Sequence, residues 1–232
     1  MKTEKPKTIL GKIIGYGNET QLEMFNPIES RIVVAEGAIK LPEFLLRSNI
    51  NPILKEIESV LKRAPLRRMK MMGGGHMIPM SNCGDWGWTS DEKGYRYQKV
   101  DPDNNEAWPA IPAEWLVLVA AALAEAGFPV VTPTSCLINA YSTGDNLGLH
   151  QDRDEADHTQ PIVSFSIGLP ARFVLGGLKR NDPLQEIELR HGDVFVFGGA
   201  ARMRFHGILP IKAGYHAATG ACRYNLTFRV AK

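Results

Sequence analysis

Arg223-Tyr224-Asn225-Leu226-Thr227-Phe228-Arg229 reads as a β-strand with one polar and one apolar face. Side chains alternate across extended backbone, so Arg223, Asn225, Thr227 and Arg229 share one side and Tyr224, Leu226 and Phe228 the other. Two readings of the polar side stand. It is the solvated face of an outer sheet, or it lines a recess for a small dicarboxylate, which planar arginine forks beside neutral donors would suit. Ser135–Tyr141 offers a similar pair, Asn139 and Tyr141, on a common face.

Outward from this strand, short β-type runs broken by Gly, Pro, Asn and Asp cover Ile162–Gly168, Phe173–Leu175, Glu186–Leu189, Val194–Phe197 and Arg204–Leu209. Such spacing indicates an all-β sandwich or barrel. Pro112–Ala126 is apolar, alanine-rich and stopped by Gly127 and Pro129, the pattern of a helix. Leu41–Arg63 also reads as helical, with Pro52 opening a fresh helix after Asn51 and Pro65 ending the run. Arg31–Ala38 reads as a strand and Gly73-Gly74-Gly75 as a hairpin turn, since no Gly-Lys-Ser/Thr follows it. Residues 1–30 lack sustained periodicity and are expected to be a poorly ordered extension.

With 232 residues the chain can bury a sizeable core, and its apolar and charged fractions are those of a soluble globular protein. No stretch approaches the roughly 18 to 20 apolar residues of a membrane span. The opening MKTEKPKTIL has neither an apolar signal core nor the look of a transit peptide. Cys83, Cys136 and Cys222 lack CxxC spacing, which argues against a zinc site or disulfide framework. A cytoplasmic address is expected. Residues 1–70 carry 13 Lys+Arg against 8 Asp+Glu and the remainder 14 against 17, a bias compatible with polyanion contact or with ordinary surface lysines.

His150-Gln151-Asp152 is a metal-ligand candidate, because residues i and i+2 of extended backbone share a face. With His206 it would supply two imidazoles and a carboxylate on a β scaffold, the facial triad of non-haem Fe(II) oxygenases. Bare His-x-Asp spacing also occurs on ordinary surfaces.

Together the segments NCGDWGW (82–88), GYRY (94–97), CLINAYSTG (136–144), LHQDRDE (149–155), GGLKRNDPL (176–184), HGDVFVFGG (191–199), FHGI (205–208) and CRYNLTFR (222–229) resemble the AlkB family of Fe(II)/2-oxoglutarate dioxygenases, in its bacterial branch. The resemblance spans about Arg67 to Arg229 and fades before it. It implies a mainly β fold with flanking helices, a double-stranded β-helix or jelly roll carrying an N-terminal nucleotide-recognition lid. One dioxygenase domain is expected over 31–232, with helices and lid in 31–130 and the jelly-roll core in 131–232.

The resemblance further implies that His150, Asp152 and His206 ligate Fe(II). Arg223, with Tyr141 and Asn225, would hold the distal carboxylate of 2-oxoglutarate, and Arg229, with Asn139, would sit near its chelating end. Trp88, stacking on a flipped base against His150, and Tyr95 match lid aromatics. Asp154 would accept from the base's exocyclic amine, while Glu155 and Arg180 would support the site or contact the strand. Taken alone, Trp88 is equally a core aromatic and Asp154 a loop carboxylate. The implied activity is oxidative demethylation of 1-methyladenine- or 3-methylcytosine-type bases in alkylated DNA, with RNA left open. O₂ and 2-oxoglutarate are cosubstrates, and succinate and formaldehyde are released. A monomer without protein or membrane partners is expected. The competing readings are an oxygenase of the same fold acting on a protein side chain or metabolite, and a non-catalytic nucleic-acid-binding or metal-sensing β module.

Overall fold

A computed structural model describes residues 30–70 and 75–232. The expectations for residues 1–30 and for Gly73-Gly74 lie outside these, save Ser30. In chain order the strands are β1 (Ile32–Ala35), β2 (Ala38–Leu41), β3 (Arg67–Lys70), β4 (His76–Gly84), β5 (Gly87–Asp91), β6 (Gly94–Gln98), β7 (Ser135–Tyr141), β8 (Leu147–His150), β9 (Ile162–Gly168), β10 (Ala171–Leu175), β11 (Gln185–Leu189), β12 (Val194–Phe197), β13 (His206–Ile208) and β14 (Arg223–Arg229). Two α-helices are interspersed, α1 (Asn51–Arg63) and α2 (Ala113–Ala126).

The strands form an eight-stranded sheet of order β1-β2-β12-β9-β14-β7-β4-β3, a four-stranded sheet β11-β10-β13-β8 and the hairpin β5-β6. Pairing is antiparallel throughout. The two main sheets are the halves of a jelly roll. Alternation sorts the large sheet's side chains into two cores. Ile138, Val163, Phe165, Leu226 and Phe228 pack with helical residues such as Trp115 and Ile57, while Leu137, Phe195 and Phe197 meet Phe173, Leu175 and Ile208 of the smaller sheet. The two helices thus cover one face, leaving the space between the sheets for the site. No helix among the described residues is long and apolar enough to cross a membrane.

Two elements differ from the sequence reading. The strand expected over Arg31–Ala38 turns back at Glu36-Gly37 into the β1-β2 hairpin. Gly37 has φ 75°, and a Cβ there would lie 2.3 Å from the Gly198 carbonyl oxygen. The helix expected over Leu41–Arg63 starts only at Asn51. Leu41 ends β2, and Phe44–Arg47 form a short 3-10 turn. The apolar side chains of this first half are buried by sheet pairing and by the turn, with Leu41 and Leu45 fully covered, so helical spacing was not needed to bury them. Proline at the second position of α1 costs no helical hydrogen bond, as anticipated.

Gly168 closes β9 where β14 begins, opposite Arg223 in the register. Its φ is +90°, and a Cβ would lie 2.2 Å from Thr219 Oγ1 and 2.5 Å from the Cys222 carbonyl oxygen. Gly168→Ala should therefore cost at least about 2 kcal/mol, or roughly 4 to 8 °C in Tm for a chain of this size. Gly148→Ala, with open space around its Cβ, should shift Tm little. Thermal melts of both variants check this.

Candidate active site

β8 and β13 are short neighbours in the smaller sheet, and their register sets His150 directly opposite His206. The imidazole centroids are 4.4 Å apart. Close approach of the strands depends on Gly207, where a Cβ would lie 2.7 Å from the Leu147 carbonyl oxygen. Each Nδ1 faces a backbone carbonyl, His150 that of Gly148 at 2.9 Å and His206 that of Arg204 at 3.0 Å. A carbonyl only accepts, so Nδ1 is the donor in each ring, and each Nε2 is left facing Asp152.

Asp152 lies two residues past the end of β8, on irregular backbone. Its Oδ1 is 3.7 Å from His150 Nε2 and its Oδ2 3.9 Å from His206 Nε2. The ligand atoms of these three residues lie within 4.8 Å of one another, the only such group among the described residues. Arg229 donates through Nε (3.1 Å) and Nη2 (2.8 Å) to Asp152 Oδ2, leaving Oδ1 for an ion. Burial opposes ionisation of Asp152, but Arg229 and the two imidazoles outweigh it and hold the carboxyl well below the usual range. Burial, reinforced by His150, pushes His206 down to about 4. At neutral pH the group is thus one carboxylate with a neutral His206, a donor set that fits a divalent ion.

The polar side of β14 faces inward. β9 and β7 flank the strand, and Arg223, Asn225, Thr227 and Arg229 line the same cavity of about 500 Å³ as the triad, within the size range of ligand pockets. The solvated-face reading is thereby excluded. Arg223 is fully buried. It donates from Nη1 to the Leu169 carbonyl (3.1 Å) and from Nη2 to Ser166 Oγ (2.9 Å), and its Nε has no partner. Burial lowers its pKa to about 10, still charged at neutrality. Tyr141 stands opposite it in the register, its phenol pushed up by burial and so protonated. Asn225 gives both amide hydrogens inward, to Ser164 Oγ and the Phe165 carbonyl, and its Oδ1 accepts from Thr227. Asn139 Oδ1 is buried without a partner. A buried guanidinium with an orphan donor at one end and an ion-binding triad at the other fit a small dicarboxylate that also chelates a metal.

The β5-β6 hairpin forms one wall of the cavity. Trp88 and Tyr95 stack at 5.4 Å with planes 22° apart, and the Trp88 indole donates to Asp154 Oδ2 at 2.7 Å. Trp88 is thus held by Tyr95 and Asp154 rather than lost in the core. Arg180, on the β10-β11 loop, donates to the Leu149 carbonyl at 2.9 Å and lies over Phe205. Every residue singled out in the sequence therefore lines this one cavity.

Three residues escaped the sequence reading. Asn82, fully buried, pairs through its amide with both backbone groups of Trp88 at 2.9 Å. Tyr97 donates to Glu155 Oε1 at 2.6 Å. Arg202, 2 % exposed, bonds Glu155 and the backbone of the Asp152 loop. Asn82 and Tyr97 lay within quoted motifs, NCGDWGW and GYRY, without being singled out, and Arg202 lay outside them all.

The profile of the family described as "2OG-Fe(II) oxygenase superfamily" matches residues 37–229, and the chain belongs to that superfamily. It is a dioxygenase that uses Fe(II) and 2-oxoglutarate. Over 199 residues the chain is 48 % identical to the alpha-ketoglutarate-dependent dioxygenase AlkB of Escherichia coli K12, covering 85 % of this chain and 92 % of that one, which places it in the AlkB family. It is 31 % identical over 239 residues to the Arabidopsis thaliana DNA N(6)-methyladenine demethylase ALKBH1D, covering 91 % of this chain and 53 % of the relative. The solved structure of OsALKBH1 superposes with a TM-score of 0.75 at 27 % identity, covering 86 % of this chain and 99 % of that one.

Because His206 is held neutral by burial, its folded pKa lies near 4 against an ordinary 6.5. Between these values the unfolded chain binds a proton that the folded chain does not. Stability of the metal-free protein should thus fall as pH is lowered from 6.5 to about 4. His206→Gln should flatten that dependence, as read by denaturant melts across the window. Equal slopes in the two proteins would mean that His206 is not the buried neutral group.

Proposed function

We propose that the chain removes alkyl groups oxidatively from damaged bases in DNA, and in RNA as a second polymer, by direct reversal. The observation that carries this is the Trp88–Tyr95 stack held by the Asp154 carboxylate in the same cavity as the His150–Asp152–His206 triad. A 1-methyladenine or 3-methylcytosine is flat and cationic. Aromatic faces and a carboxylate are the groups that bind such a base. An oxygenase acting on a protein side chain or metabolite would have no need of that wall. The similarity to a DNA N(6)-methyladenine demethylase supports the same reading.

In this reading His150, Asp152 and His206 hold Fe(II). Arg223, beside Tyr141 and Asn225, binds the distal carboxylate of 2-oxoglutarate, while Arg229 and Asn139 border its chelating end. When bound, the iron, 2-oxoglutarate and O₂ supply the oxidising power. The protein's residues orient the reactants and exclude water. Arg229 keeps Asp152 ionised and turned towards the metal position. Trp88 and Tyr95 take the flipped base, whose extrusion costs a few kcal/mol and costs least where the lesion already weakens pairing. Asp154 Oδ1, left free by the indole, accepts from the exocyclic amine, and Arg180 contacts the strand. One oxygen atom enters the N-methyl C–H bond, and the resulting hemiaminal releases formaldehyde and the repaired base. The other oxygen leaves in succinate as 2-oxoglutarate loses CO₂. We assign residues 31–232 to one dioxygenase domain, with the helices and the base-recognition hairpin in 31–130 and the jelly-roll core in 131–232, its large sheet extended at both edges by β1–β4, and take the protein as a cytoplasmic monomer.

Oligonucleotides carrying 1-methyladenine or 3-methylcytosine, incubated with Fe(II) and 2-oxoglutarate, should lose the methyl group by mass, with matching succinate, and Asp152→Ala should abolish this. Unchanged lesions would overturn the reading. In the same assay Asp154→Ala should lose roughly 10- to 150-fold on the cationic lesions, the worth of one charged hydrogen bond of about 1.5 to 3 kcal/mol. The loss on neutral ethenoadenine should be smaller. Equal losses would leave Asp154 only the task of holding Trp88.

Arg223→Lys cannot reproduce the guanidinium's fork. It should raise the 2-oxoglutarate requirement about tenfold or more, with little change in the oligonucleotide requirement. A cosubstrate titration that matches wild type would remove Arg223 from the site.

A further inference from the structure

The loop that carries Asp152 and Asp154 has no regular secondary structure between Gln151 and Gln160. Its polar backbone must nevertheless find partners wherever it is buried. One guanidinium provides several of them. Arg202, directly after the turn Gly199–Ala201, donates from Nη1 to the Asp152 carbonyl at 2.5 Å and from Nη2 to Glu155 Oε2 at 3.0 Å. Its Nε donates to the Gln160 carbonyl at 3.0 Å. The start, middle and end of the loop are thus tied to one rigid, planar group. The neighbouring Met203 carbonyl accepts from Gln151 Nε2 at 2.6 Å, extending the clamp by one residue.

Glu155, at the middle of the loop, is buried and shared. Besides Arg202 it meets Arg229 Nε at 3.3 Å and accepts from the Tyr97 hydroxyl at 2.6 Å. Tyr97 stands on β6, opposite Trp88 of β5. The carboxylate therefore joins the metal-binding loop to the hairpin that bears the base-stacking ring. Nothing about turnover requires Arg202 to touch a reactant, and it does not line the cavity.

We infer that Arg202 is a positioning residue for the metal centre, setting Asp152 through the loop backbone and through Glu155. This rests on the triad being the metal site. The three acceptors bond three different nitrogens of Arg202, which the single nitrogen of a lysine cannot reproduce, so the shape of the guanidinium is required as well as its charge. Residues that orient ligands in this way are typically worth about 10- to 100-fold in metal affinity.

The test uses the full chain, free of metal and under anaerobic conditions, titrated with Mn(II) and followed by the electron paramagnetic resonance of the free ion. Arg202→Gln alone strands the buried Glu155 charge, so the deciding protein is Arg202→Gln/Glu155→Gln, which removes both charges together. Its Tm should recover relative to the single variant, while Mn(II) affinity should stay about 10- to 100-fold below wild type. A purely structural role predicts that affinity recovers with Tm. Affinity within twofold of wild type in the folded double variant overturns the inference. Should the double variant not fold, Tyr97→Phe decides, since it removes one hydroxyl and leaves both charges. Mn(II) affinity should fall about threefold or more as Glu155 loses an anchor, and an unchanged value overturns the inference. Wild type failing to bind Mn(II), or Asp152→Ala binding it equally well, would overturn the metal assignment itself. Normal wild-type and Asp152→Ala behaviour with an unaffected double variant would remove Arg202 alone.

Discussion

Two arginines run through the middle of the large sheet on a single strand, and much of the site follows from burying their charge. Arg223 and Arg229 are 0 % and 7 % exposed. A buried guanidinium without compensation is strongly destabilising, so each needs anions or oriented acceptors around it. Arg229 has two carboxylates, Asp152 and Glu155, and Glu155 is in turn shared with Arg202. Two cations and two anions thus form one neutral buried cluster, and the metal-binding carboxylate belongs to it. Burial would otherwise favour a protonated Asp152, a poor ligand. The adjacent Arg229 reverses that preference.

Arg223 is compensated differently. Its hydrogen bonds among the described residues run to carbonyls and a serine hydroxyl, all neutral, and one donor stays unused. A cation satisfied only by dipoles keeps an attraction for an anion that enters the cavity. The two arginines of one strand therefore divide the work. Arg229 is paired with carboxylates within the protein and holds Asp152 of the triad, while Arg223 lines the cavity with a donor to spare. Their six-residue separation along one strand puts their backbones about 20 Å apart at most.

The strands were largely legible because pattern and packing agree. Ser135–Tyr141, Ile162–Gly168 and Val194–Phe197 are continuous apolar or alternating runs bounded by turn residues, and the observed strands have the same limits. The His-x-Asp pair and the polar stripe of β14 could likewise be read from spacing. Which way that stripe faces could not, since alternation is the same for an outer strand and for one walled by β7 and β9. The resemblance to a family resolved what spacing left open. The first half of Leu41–Arg63 was misread because Leu41, Phe44 and Leu45 are apolar for reasons of sheet and turn burial, and their spacing resembles a helix by coincidence. Arg202 was invisible for another reason. Its three acceptors come from Asp152, Glu155 and Gln160, some 40 to 50 residues away, and two are backbone carbonyls that leave no mark in the sequence.

The carboxylate of the triad sits off the end of a strand, two residues past β8. Within a ladder, Asp152 would have its backbone fixed by neighbouring strands and its side chain limited to one face. Past the end of β8, the chain is free to swing the carboxylate between two imidazoles on different strands, yet an unpaired segment is also free to move. Arg202 supplies the missing constraint with side-chain donors, much as Asn82 does for the backbone of Trp88. Asn82 satisfies Trp88 backbone groups beside the β5-β6 ladder, whereas Arg202 holds a segment with no strand partner, so Asp152 can stand where regular pairing would not have put it. The ion ligand and the stacking ring then meet at Asp154, two residues beyond Asp152 and bonded to the indole. Displacing the loop would consequently disturb the triad and the aromatic wall of the cavity together.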